Sequence, residues 1–276
     1  MPGSFSRSAN SNPADSHGND EDRAGSGPFY PSLEDVSVVR GLLLRPLWRK
    51  HHRPSQGFPP EIVDMILDEA EYWPSVFIEM DAEEQIIAQD RDRVLLMTPP
   101  LCFDMKSLMR GDPDCFFHRT QRPCRKIIFD ISAHDQGFGN GVPDSFEQAW
   151  TWFDVEAVPN ADKTILQTGQ FPTLPRVIDM GGPNRLQTVR CQRPGPGRRV
   201  RAEDYQVVWR YTDCIASDSA EAERIRKEQG RGEATLDGSF VRSLAVGDSV
   251  AIWGRARFGA WRLHVKYLSA RVFWAA

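Results

Sequence analysis

Three clusters of polar and aromatic side chains mark where this chain could do chemistry. In residues 132–141, His134, Asp135 and Gln136 directly follow an alternating apolar run and precede glycines at 137, 139 and 141. A loop leaving a strand is where β folds hold ligands, and these three polar groups can grip hydroxyls. The same Asp–Gly composition also makes a tight turn in which His134 is a hydrogen-bonding loop residue. In residues 150–156, a period of two puts Trp150, Trp152, Asp154 and Glu156 on one face and Phe153 and Val155 on the other. Two indoles beside two carboxylates would form a strip for a sugar ring or a peptide. Alternatively, the tryptophans cover the second face of a sandwich beneath a helix. Farther on, Trp253, Arg255 and Arg257 share a face ahead of Trp261. Arginine stacks well on indole, either to hold a ligand or to lace a solvated surface. The candidate ligand-binding set is therefore His134, Asp135, Trp152, Asp154, Arg255, Arg257 and Trp261. Residues 190–201 carry five arginines among Pro and Gly and read as a hairpin insertion rather than a groove-reading element.

Other chemistries lack their residues. The cysteines, at 102, 115, 124, 191 and 214, form no C-x-x-C, and no two histidines sit one helical turn apart. No structural zinc site, metal or cofactor is expected from that pattern. An odd number of cysteines at irregular spacing suits a reducing compartment better than a disulfide scaffold. No G-x-S-x-G elbow or phosphate-cradling glycine loop appears; glycines 137, 139 and 141 come close in spacing, but no helical pattern follows them. No catalytic residue is assigned. A net charge of -4 excludes a generally basic nucleic-acid binder, and nucleic acid is not expected as a partner. No apolar run reaches about 18 residues, so no membrane span is expected. The Ser/Asn/Pro-rich start has no apolar signal-peptide core. The expected location is intracellular, cytoplasmic or nuclear.

These groups must be positioned by the elements around them. The chain has 276 residues, 40% apolar, 10% aromatic and 26% charged, which allows one large or two small domains. Residues 1–57 read as a disordered arm, because the first 28 hold almost no branched aliphatics. A helix is expected over 59–72, where Pro59 and Pro60 suit a helix start and Ile62, Val63, Ile66, Leu67 and Ala70 form an apolar stripe. Between Phe58 and Met97, acids outnumber bases eleven to two. Residues 58–93 form a short helical segment on this reading. Residues 94–276 then alternate with period two, around 127–131, 153–157, 205–211, 250–252, 263–267 and 272–274, separated by Gly/Pro/Asp loops. That pattern predicts a mainly β domain, an antiparallel sandwich of galactose-binding-like or jelly-roll character with eight or nine strands. One helical insertion, about 217–229, ends at Gly230.

Taken together, four motifs resemble a family of filamentous-fungal proteins, some of which carry ankyrin repeats: His134-Asp135-Gln136-Gly137; Trp150-Thr151-Trp152-Phe153-Asp154; residues 230–241, GRGEATLDGSFV; and residues 247–258, GDSVAIWGRARF. The likeness covers roughly 58–276. It implies an intracellular fungal protein and imports no activity. This chain has Phe138 where members usually have Trp, and Gly259-Ala260-Trp261-Arg262-Leu263-His264 where they have Pro-Gly-Trp-x-Asn-His. Residues 58–67, FPPEIVDMIL, resemble the opening helix of an F-box, without its second leucine-rich helix. Three functions are open at this point. The first is a non-catalytic binding module for a protein or glycan. The second is an F-box-type adaptor of a ubiquitin ligase, with Skp1 on the helix and a substrate on the sandwich. The third is an enzyme whose nucleophile–base set does not show in the sequence.

Overall fold

The period-two runs become two antiparallel sheets facing each other across one core. In the computed structural model, the described residues are 28–45, 57–80, 84–89, 91–138, 141–175 and 184–276. In chain order the elements are α1 (Leu33–Leu44), α2 (Pro60–Glu69), β1 (Ser75–Glu79), β2 (Gln85–Ala88), β3 (Arg93–Met97), α3 (Met105–Met109) and β4 (Cys124–His134). Then follow β5 (Thr151–Val158), α4 (Ala161–Thr168), β6 (Arg185–Thr188), β7 (Glu203–Arg210), α5 (Ala220–Gln229), α6 (Ser239–Ser243), β8 (Ser249–Ala256) and β9 (Arg262–Trp274). One sheet runs β1-β9-β4-β7 with β2 also on β9, and the other runs β3-β8-β5-β6. The mainly β, antiparallel sandwich expected from the alternation is the fold observed.

The core explains the alternation. Ile127, Phe129, Ile131 and Ala133 of β4 and Leu263 and Val265 of β9 point inward, meeting Phe153, Val155 and Ile252 from the opposite sheet. Phe129 and Phe240 both stand edge-on to Trp209, at 5.1 and 5.2 Å between ring centroids. Burying such rings supplies the largest share of apolar contact in a core of this size. β8 is buried along its whole length, so its outer face is covered rather than wet.

Three expectations about organisation need correction. The arm was expected to run to residue 57, yet 33–44 form α1, started by a reciprocal cap in which Ser32 and Asp35 bond each other's backbone N–H at 3.1 and 2.9 Å. Val36 anchors it in the core. The rest of the expected arm, 1–27 and 46–56, lies outside the described residues. The segment 58–93 is not helical throughout, because β1 and β2 pair with β9 and belong to the sandwich. Their short length and flanking acids hid them. Finally, α5 was not the only later helix; α3, α4 and α6 are too short to show a helical period.

The acidic stretch has a structural destination. Asp64 pairs with Arg40 and Arg119, Asp68 with Arg119 and Arg125, and Glu71 with Lys126 and Arg210. The acids of α2 and the residues after it are thereby clamped to basic groups of α1, the approach to β4, the start of β4 and the end of β7. Burial pushes the Glu71 carboxyl up, but Lys126 and Arg210 outweigh it and hold it below the ordinary range.

Candidate functional site

The register brings four connections to one end of the sandwich. The pairs His134↔His264, Ala133↔Glu203 and Ala88↔Arg262 align the ends of β4 and β2 with the starts of β7 and β9. In the other sheet, Thr151↔Ala256, Trp152↔Thr188 and Arg93↔Gly254 do the same. The β2–β3, β4–β5, β6–β7 and β8–β9 connections therefore meet there, and all seven predicted site residues lie at or near that end. They divide among three environments.

The first is a buried ion-pair network on the outer face of the four-stranded sheet. Asp92 accepts hydrogen bonds from Arg257 at 2.6 Å, Arg255 at 3.3 Å and the Ala256 backbone N–H at 3.3 Å. Arg255 Nε lies 2.5 Å from Asp154 Oδ2. The guanidiniums of Arg185 and Arg257 lie over the Trp152 indole, 4.6 and 5.1 Å from its centroid, and Trp253 Nε1 donates to Glu156 at 2.9 Å. Burial pushes the Asp154 carboxyl above its ordinary range, opposed by Trp152, Arg255 and Arg185. Trp152 and Asp154, read either as part of a ligand strip or as cover for a sandwich face, come together here with Arg255 and Arg257, read as a solvated or ligand-holding ladder. Trp152 is 0% exposed and the other three are buried, so the exposed strip and the solvated ladder are corrected. The outer face of β5 and β8 is a second, polar core. Its chemistry is positional, for it fastens the β2–β3 turn to β8 through Asp92. Sequence reading missed Asp92 because its partners lie on a strand far along the chain.

The second environment is the floor of the loop end. Asp135 is fully buried and accepts from the backbone N–H groups of Gly137 at 2.9 Å and Gln192 at 3.2 Å. One carboxylate thus ties the β4–β5 and β6–β7 connections together. Burial holds its pKa up, against the two N–H groups and the neighbouring Cys191. Burial likewise pushes the Cys191 thiol up to about 11, so it is a packing group and not a nucleophile. Trp261 is buried against Cys191, Ala149 and Trp150, and Gln136 accepts from the Arg262 backbone N–H at 3.0 Å. Asp135 and Trp261 are therefore framework beneath the surface, not contact groups on it. Gly137 has a left-handed backbone, and a Cβ there would strike Val200, so only glycine lets the 193–201 loop, which crosses from one sheet to the other rather than forming a hairpin, pack against this turn.

The third environment is the outer face of the five-stranded sheet. His134 stacks on His264, with centroids 4.6 Å apart and planes 9° from parallel. Glu84, just before β2, reaches both: Oε1 lies 2.9 Å from His264 Nδ1 and 3.7 Å from His134 Nε2. His134 Nδ1 lies 2.6 Å from the Asp135 carbonyl oxygen. Two imidazoles and a carboxylate are a donor set able to hold a metal. No helical spacing could reveal it, since the three residues meet only through strand register.

What faces solvent at this end was not among the candidate ligand-binding residues other than His134. Phe138 is 59% and Phe258 48% exposed, the latter edge-on to Trp150 at 4.8 Å. At the same end of the sandwich a cleft of about 1210 Å³ is lined by Arg193, Arg198, Arg199 and Arg201, with Asp144 and Glu203 among its walls. The five-arginine stretch read as an insertion supplies all four arginines that line this cleft. Its signal was present as composition, but only the packing of the loop on Gly137 and Asp135 makes a cleft of it. No family model, curated protein or solved structure matches this chain.

Proposed function

We propose that this protein is a non-catalytic binding module that takes an acidic segment of a partner protein at the loop end of its sandwich. The observation that carries this reading is the concave arginine cluster, four guanidiniums against two carboxylates. Arginine forks hold carboxylates and phosphates bidentately, and exposed aromatic side chains nearby add apolar contact. A protein ligand is favoured over a glycan because the cleft is lined chiefly by guanidiniums, while Trp152, Trp253 and Trp261 are buried and the partly buried Trp150 is packed edge-on against Phe258. An intracellular setting is supported by five cysteines that all remain free thiols. No described helix is long and apolar enough to cross a membrane.

The experiment is a fluorescence-anisotropy titration of the full chain with poly-glutamate and poly-glutamine peptides, repeated with the double variant Arg198→Glu/Arg199→Glu. Poly-glutamate should bind in a salt-dependent way and poly-glutamine should not, and the double variant should lose at least about tenfold in affinity, roughly 1.4 kcal/mol, with its melting temperature unchanged. Equal affinity for both peptides would remove the reading.

A second reading, the F-box-type adaptor, has its own support. Only Val63 and Leu67 of α2 are buried, while Ile62, Met65 and Ile66, and Val38 and Leu42 of α1, face solvent. An apolar helical surface of this kind suits docking of a helical partner such as Skp1. Retention of Skp1 by the immobilised chain would favour it, and the loop end would then be its substrate receptor.

A further inference from the structure

We propose that Glu84, His134 and His264 form a binding site for a divalent first-row transition metal, with Zn²⁺ as the reference ion. The three residues come from adjacent positions of one sheet. His134 and His264 are register partners on β4 and β9, and Ile86 of β2 is the partner of His264, which sets Glu84 at the same edge. The scaffold beneath them is rigid, because Ala133, Leu263 and Val265 on the reverse face are fully buried.

The distances suit a common ion. A tetrahedral ion with ligand bonds of about 2.0–2.1 Å has donor atoms about 3.3–3.4 Å apart. Glu84 Oε1 lies 2.9 Å from one imidazole nitrogen and 3.7 Å from the other, on either side of that edge length. All three donor atoms fall within 4.8 Å of one another. Closing the remaining edge requires one ring of the stacked pair to turn about χ2, a broad and soft torsion for histidine.

The proton arrangement is also suitable. His134 Nδ1–H donates to the Asp135 carbonyl at 2.6 Å, which leaves Nε2, the nitrogen nearer Glu84, with its lone pair free for a metal. Fixing the ring by a backbone carbonyl on the far nitrogen is the arrangement that metal-bound histidines use. Asp135 is itself immobilised by Gly137 and Gln192, so the tautomer is set by the floor of the loop end. His264 turns Nδ1 toward Glu84, and that nitrogen gives up its proton when metal enters. Three protein ligands are one fewer than a closed structural site uses, and the half-exposed Glu84 side chain puts the remaining position toward solvent. That position takes water, or a carboxylate or imidazole from a bound protein.

The test uses the full chain, stripped with a chelator and dialysed against limiting Zn²⁺. Bound metal is counted by mass spectrometry and melting is followed with and without Zn²⁺. Wild type should hold one ion more per chain than His134→Ala, His264→Ala or Glu84→Gln, and only wild type should gain melting temperature with Zn²⁺. Cys115 and His118, whose Sγ and Nδ1 lie 3.8 Å apart, are a separate place for adventitious zinc, and they are unchanged in all three variants. Glu84→Gln alters an exposed side chain and stays folded if the histidine variants do not. Equal zinc content in wild type and Glu84→Gln, or no zinc in wild type, overturns the proposal. Co²⁺ in place of Zn²⁺ should give visible d–d absorption in wild type that Glu84→Gln lacks.

Discussion

At the scale of single residues, two buried aspartates hold the loop end together by different means. Asp92 faces two guanidiniums, Arg255 and Arg257, with its side chain wholly inaccessible. Taking one member from a buried charge cluster leaves the others poorly compensated, typically at about 3–5 kcal/mol. Asp92→Asn should therefore lower the unfolding free energy by about that amount in urea titrations, and a loss below about 1 kcal/mol would show that the network carries little. Asp135 makes a pH-dependent contribution. Its folded pKa is raised, chiefly by burial, while the unfolded chain titrates near the ordinary value of about 3.9. The folded chain thus keeps that proton to higher pH. The associated stability is fully present below the unfolded pKa and is lost as pH rises through the folded one. Asn cannot titrate, so the stability difference between wild type and Asp135→Asn should narrow as pH rises from about 4 to 7. A difference that widens would reverse the assignment.

At the scale of elements, α2 shows what periodicity can and cannot say. The apolar stripe over 62–70 correctly marks a helix, but it does not say how much of the stripe is covered. Val63 and Leu67 enter the core while Ile62 and Ile66 remain partly exposed and Met65 is 66% exposed. The charged side of the helix, through Asp64 and Asp68, takes up arginines from α1 and the β4 approach. Leu67→Ala should cost about 2–5 kcal/mol as a buried truncation. Met65→Ser should stay within about 0.5 kcal/mol. Measuring both by thermal unfolding checks the assignment, and a destabilising Met65→Ser would mean that the exposed side of α2 is covered. The strands were legible for a related reason. β4, β5 and β7 alternate because each has one face on the shared core, whereas β1 and β2 are too short for alternation to register.

At the scale of the whole molecule, β9 is the organising strand, paired along its length with β1, β2 and β4. It brings His264 to His134, and the connection before it brings Trp261 to Cys191. These juxtapositions were not legible in the sequence, because strand order is set by pairing across large separations that composition does not record. His134 and Asp135 were singled out from a turn-like segment and do stand at the loop end. Trp152 and Asp154 were read on one face and Arg255 and Arg257 on another, with burial of the tryptophans in the sandwich as one of the alternatives, since alternation distinguishes two faces without saying which is wet. The arginine cleft follows from the same long-range packing. Hydrogen–deuterium exchange of the full chain, with and without poly-glutamate peptide, measures directly where an acidic ligand sits. Protection should appear in residues 189–202 and in the adjoining 135–150 connection, while α1 and α2 remain unchanged. Protection confined to α1 and α2, with the arginine loop exchanging as in the free protein, would contradict the account.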